Sequence, residues 1–126
     1  MDSFEIKTAT AHQVLLAGRV VTDHSTGTAV ADQSGWVASA ANTGTGAWTI
    51  TFPAALDGYD ALHVLAFQSA TGDVVTVQVV TFDPTTTGTL AIVLNDDAFS
   101  PADFKDLTIC WTIVAWTQAQ DAWVGP

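Results

Sequence analysis

Residues 47–52 read Ala-Trp-Thr-Ile-Thr-Phe. Trp48, Ile50 and Phe52 alternate with Ala47, Thr49 and Thr51, and a period of two places the three large apolar groups on one face of a strand. Thr, Ile, Trp and Phe are residue types that suit a pleated, half-buried surface. Pro53 has no amide proton for a ladder and ends the run. Just upstream, Asn42-Thr43-Gly44-Thr45-Gly46 is rich in residues that tolerate positive φ, which marks a hairpin turn.

Working outward, the same grammar repeats. Leu15–Val21 reads as a first strand and stops at the loop Asp23-His24-Ser25-Thr26-Gly27. Gly35–Ala40, carrying Trp36, reads as a second. Beyond Pro53 come Ala61–Phe67, a turn at Thr71-Gly72-Asp73, and the Val-rich run Val74–Phe82 closed by Asp83-Pro84. Gly88–Leu94 follows with Leu90, Ile92 and Leu94 on one side. Asn95–Asp106 is the one place for a short helix: Ser100 suits the cap, Pro101 the first position and Asp103 the first turn. Leu107–Thr117 is a last strand that is apolar on both faces, with Ile109, Trp111 and Ile113 on one and Cys110, Val114 and Trp116 on the other. A strand of that kind expects cover on both sides.

Short strands at close spacing with Gly, Pro and Asp between them predict an all-β fold. The expected architecture is an antiparallel β-sandwich or small barrel, jelly-roll-like, of about 7–8 strands with at most one short helix. The 126 residues amount to one domain. Residues 1–13 read as an N-terminal arm with Phe4 and Ile6 as anchors, 14–118 as the β-sandwich domain and 119–126 as a C-terminal tail containing Trp123.

The charge is lopsided: 13 acidic side chains against three basic ones, for a net −10. Twelve of the acids are Asp, a turn and cap residue; the other is Glu5. A surface of this sign repels phosphate and anionic lipid, so neither nucleic acid nor membrane is an expected partner. The opening MDSFEIKTAT shows no basic segment followed by an apolar one, so no secretory signal is expected and synthesis is assigned to a cytoplasm. The single cysteine, Cys110, allows no internal disulfide and, lying in a very apolar run, reads as a buried structural thiol.

Chemistry is scarce. His12, His24 and His63 lack the close spacing of a zinc site. Asp23-His24-Ser25 has triad residue types but only as chain neighbours, and a triad is a matter of geometry. Asp57/Asp60 and Asp96-Asp97 are the carboxylate pairs a glycosidase would need, although each lies in an apparent turn. Asn95, Asp96 and Asp97 with Asp103 and Asp106 are oxygen ligands of the kind calcium takes, without the glycine and terminal glutamate of the twelve-residue loop. Gly44-Thr45-Gly46 precedes no helix, so it is a turn and not a phosphate cradle. No catalytic residue, metal or cofactor is therefore expected.

The segment from Gly35 to about Phe67 resembles a pattern of bacteriophage and cyanophage structural proteins. In that pattern a small-Thr-Gly-x-Gly hairpin leads into an aromatic-Thr-aliphatic-Thr-Phe strand, and a further apolar strand follows after a loop. The matching residues are Thr43, Gly44, Gly46, Trp48, Thr49, Ile50, Thr51 and Phe52, then Leu62, Val64 and Phe67. They cover about a quarter of the chain. The resemblance implies a β-rich capsid decoration (cement) protein or a head- or tail-fibre module, often a homotrimer. No helical stalk is visible, which favours a compact surface-bound module.

The expected function is thus non-enzymatic: a virion subunit that binds and stabilises a capsid surface, with the major capsid protein or other virion subunits and copies of itself as partners. Phe4, Ile6, Trp111, Trp116 and Trp123 are the expected interface residues. The alternative is a carbohydrate- or receptor-binding module of a fibre or spike, which would show open Trp rings beside Asp or Asn.

Overall fold

The computed structural model describes residues 13–68 and 75–116. They form eight strands: β1 (Gln13–Thr22), β2 (Val30–Gly35), β3 (Ser39–Gly44), β4 (Ala47–Thr51), β5 (Gly58–Phe67), β6 (Thr76–Asp83), β7 (Thr89–Asn95) and β8 (Thr108–Trp116). Two four-stranded sheets result, sheet A in the order β2-β1-β8-β5 and sheet B in the order β3-β4-β7-β6. Every strand pair is antiparallel. The sheets stay separate, so the sandwich expectation holds and the barrel does not.

Alternation fixes which side of each strand faces in. Within sheet B Trp48 lies opposite Ile92 and Ile50 opposite Leu90, with Phe52 and Leu94 in the same core, and Val20, Ile109, Trp111, Ile113 and Ala115 come from sheet A. All are buried, and each large side chain contributes roughly 1.5–3 kcal/mol by leaving water. Phe52 is the aromatic hub: Trp36 stacks on it at 4.7 Å between centroids, and Phe82 and Trp111 meet it at 6.4 Å.

One glycine makes this core possible. Gly18 on β1 is the cross-strand partner of Trp111 on β8, and both point inward. A Cβ at Gly18 would fall within the Trp111 indole ring. Nearby, the buried Thr22 hydroxyl donates to the Phe104 carbonyl at 2.5 Å and accepts from the Leu107 amide at 2.9 Å. This polar side chain is fully satisfied while it pins the approach to β8.

Two expected elements differ. Gly35–Ala40 is not one strand. It is a corner between β2 and β3, where Gly35 takes φ 80° and the Trp36 amide donates to the Ala17 carbonyl at 2.9 Å. β2 itself, Val30–Gly35, falls in a stretch to which the sequence assigned no element. The segment 95–106 is turn and not helix. The Asp96 carboxylate accepts from the amides of Ala98 (2.9 Å) and Ser100 (3.0 Å), Phe99 adopts φ 60°, and Pro101 pairs with Asn95 across an isolated bridge. An Asp that satisfies its own loop amides offers the backbone an alternative to the helix, and it prevails here. Residues 1–12 of the arm, the whole 119–126 tail and the turn at 71–73 lie outside the described residues, and Gln13 belongs to β1.

Candidate interaction surface

Several of the acids considered for chemistry, Asp23, Asp96 and Asp103, hold loops through backbone amides. Asp23 accepts from the amides of Ser25, Thr26 and Ala29 and from the Ser25 hydroxyl at 2.7 Å. Those hydrogen bonds hold its carboxyl well below the usual carboxylate range, the Ser25 hydroxyl first and then the amides. Asp103 accepts from the Gly46 amide at 2.8 Å and Asp83 from the Thr86 amide at 3.2 Å. Asp23, Asp83, Asp96 and Asp103 therefore staple turns, a role the short Asp side chain suits.

The same bonds take the candidate sites apart. Ser25 is tied to Asp23, whereas His24 Nδ1 faces Asp106 Oδ2 at 2.6 Å, so the three neighbours form no relay. Asp60 accepts from the Gln13 side chain at 2.6 Å. Of the calcium candidates, Asp96, Asp103 and Asp106 turn to three different partners. Among the described residues no three His, Cys, Asp or Glu side chains converge as metal ligands would. His63 stands exposed on β5.

What the fold does assemble is a surface. On the outer side of sheet A the register aligns Leu15, Val114 and Ala61 in one row, then Ala17, Thr112 and His63, then Arg19, Cys110 and Leu65, then Val21, Thr108 and Phe67. Leu15 is 69% exposed, Leu65 44% and Phe67 45%. Burial by its neighbours pushes the Cys110 thiol up. Trp116 closes one end of the face, lying over Gly58, its cross-strand partner, where a Cβ would strike the ring. At the other edge Arg19 is held by Asp32 at 2.7 Å and Ser34 at 2.9 Å, beside a shallow depression lined by Ala17, Gly18 and Gly35.

The outer side of sheet B is built otherwise. Its aligned rows are Ala47 and Val93, then Ala41, Thr49 and Ala91, then Ser39, Thr51 and Thr89. Apart from the half-buried Val93 these are all Ala, Ser or Thr. Among the described residues the large apolar groups exposed on sheet B are Val79 and Val80, at the bulge of its edge strand β6.

Of the expected interface residues, Trp116 lies on the sheet A outer face, half-buried. Trp111 does not: it points into the core and is 1% exposed, because Gly18 leaves room for it there. Phe4, Ile6 and Trp123 lie outside the described residues. Leu15, Leu65 and Phe67 were not singled out from sequence; their signal was the outward phase of the β1 and β5 alternation. Comparison with protein-family models, with curated proteins and with solved structures returns no match for this chain.

Proposed function

We propose that this chain is a non-enzymatic structural subunit that works by docking, of the virion decoration type its 35–67 segment resembles. The observation that carries the reading is the outer face of sheet A. The outward rows of β1, β8 and β5 carry Leu15, Leu65 and Phe67, and the acids beside them are engaged: Asp60 at the β5 bulge by Gln13 and Asp32 on β2 by Arg19. Exposed apolar groups gathered on one face with a polar edge are the mark of an interaction site. The stapled aspartate loops sit at the sandwich ends and the β2 edge, where they keep assembled particles soluble and apart.

The carbohydrate-binding alternative has less support. It asks for open rings, and among the described residues Trp48 and Trp111 are buried, Trp36 is half-buried against Phe52 and Trp116 is half-buried on the outer face of sheet A.

The test is mass spectrometry of gradient-purified particles from the culture in which the chain is naturally made. Peptides of this chain are expected in the particle fraction at a fixed ratio to the major shell protein. Recovery only from the soluble fraction would overturn the reading.

A further inference from the structure

We infer that the unmatched residues at the sheet edges act as guards: they keep the outermost strands, β6 above all, from accepting a further strand. Partners then reach this domain by its faces and loops and not by extending its sheets. The inference does not depend on the reading above.

The observation is where the register slips. β1 pairs with β8 over nine residues and β4 with β7 over five, both without a break. Each remaining pair joins an outermost strand to an inner one, and each contains one unmatched residue. That residue always belongs to the outermost strand: Ala31 on β2, Thr43 on β3, Asp60 on β5 and Val80 on β6. An extra residue bends and twists the strand that carries it. It thereby spoils the straight row of backbone donors and acceptors that an incoming strand needs.

The slips leave the core undisturbed. On β6 Val79 lies opposite the inward Ile92, Thr81 opposite the outward Ala91 and Phe82 opposite the inward Leu90. Taking Val80 out would join Val79 to Thr81 with every other residue on its present face. The alternation that fills the sandwich therefore does not require Val80.

β6 is also the edge most in need of a guard. Thr76-Val77-Gln78-Val79-Val80-Thr81-Phe82 is a run of strong β-formers with no charge and no proline, the composition that stacks strand on strand. Val79 is 43% and Val80 57% exposed. The slip at Val80 cuts the ladder into runs of four and three residues, 76–79 and 81–83, shorter than the usual strand of about 5–6. β5 is guarded at one end only, since Asp60 precedes seven residues in regular register, 61–67. Thr43 adjoins a hairpin turn, whose own geometry also accommodates an extra residue.

The experiment incubates the full chain at high salt, where the mutual repulsion of a net −10 protein is screened, and follows thioflavin T fluorescence. The wild type should stay at baseline. Deletion of Val80 should raise the signal about tenfold or more, with a fibre reflection at about 4.7 Å, while the soluble fraction keeps a cooperative urea transition. Val80→Ala, which keeps the extra residue and removes most of its side chain, should stay at baseline. Gln78→Lys added to the deletion should restore the baseline, since a lysine on an edge opposes pairing. A deletion variant that folds and stays clear would overturn the inference, as would stacking by the wild type itself. Val80→Ala stacking as readily as the deletion would overturn it by placing the effect in the side chain. A signal that Gln78→Lys leaves unchanged would overturn it by placing the contact elsewhere than β6. If deletion of Val80 abolishes the urea transition, the same readout passes to deletion of Asp60, which lays β5 out as one straight edge. A baseline signal there overturns the inference, and so does a second lost transition, because the extra residues would then belong to the fold itself.

Discussion

Two tryptophans on one strand, each opposite a glycine, sit on opposite sides of sheet A. Trp111 lies inside against Gly18, and Trp116 lies outside over Gly58. Locally the pairs are alike: a missing Cβ on the neighbouring strand gives an indole room to lie flat across the ladder. Their surroundings differ. Trp111 meets Phe52 from the other sheet and is sealed, whereas Trp116 has only its own sheet beneath it. The pairing motif sets where a ring lies, and the second layer decides how much that is worth.

The comparison can be broken most forcefully at the rings. Trp111→Ala should cost about 4 kcal/mol of stability, as the loss of a sealed aromatic does. Trp116→Ala should cost about 1 kcal/mol, in the ordinary range for partly exposed positions. Urea unfolding at one fixed protein concentration measures both, and equal costs would mean that the two sides of β8 are equivalent.

A smaller effect is expected at the glycines. Gly18→Ala forces a sealed ring to move and should cost about 3 kcal/mol, while Gly58→Ala displaces a ring free to lift toward solvent and should cost about 1 kcal/mol. Thermal unfolding that ranks them in reverse would show the outer ring to be the more tightly held.

The smallest effect sharpens the contrast by pH. Neither tryptophan pair includes an acid, so the gap between their variants should not move on acidification. Asp23 behaves differently. Its carboxyl is depressed below the ordinary 3.8, so its contribution is complete above that value and is lost as pH falls below about 4 toward the folded pKa. Asp23→Asn should be less stable than wild type at pH 7, with the difference shrinking by pH 2. A difference that stays constant across that range would show that the charge of Asp23 does not stabilise its loop.

Sequence reading located the strands whose outward and inward residues differ in character. β4, β7 and β8 carry large apolar groups at every second position, and the core follows from them. β2 was illegible because Val-Ala-Asp-Gln-Ser-Gly has no such alternation. It is an edge strand held by its backbone ladder to β1, and its side chains are nearly all exposed. The 95–106 segment misled because Ser, Pro and Asp at those spacings serve a helix start and an Asp-capped turn equally well. The candidate surface was half legible. That β8 is apolar on both faces could be read directly. Which face sheet B would cover could not, because it depends on the phase of β1, where Gly18 admits Trp111 to the interior.

The register of β1 and β8 also sets how the domain bears load. Gln13, where β1 starts, is paired with Trp116, where β8 ends. Drawn apart from those two points, the central ladder would open like a zipper, one hydrogen bond at a time, instead of sharing the force along its length. The same two strands gripped across their outer face would carry it in parallel, so assembly through that face would convert a mechanically weak seam into the protected middle of the structure.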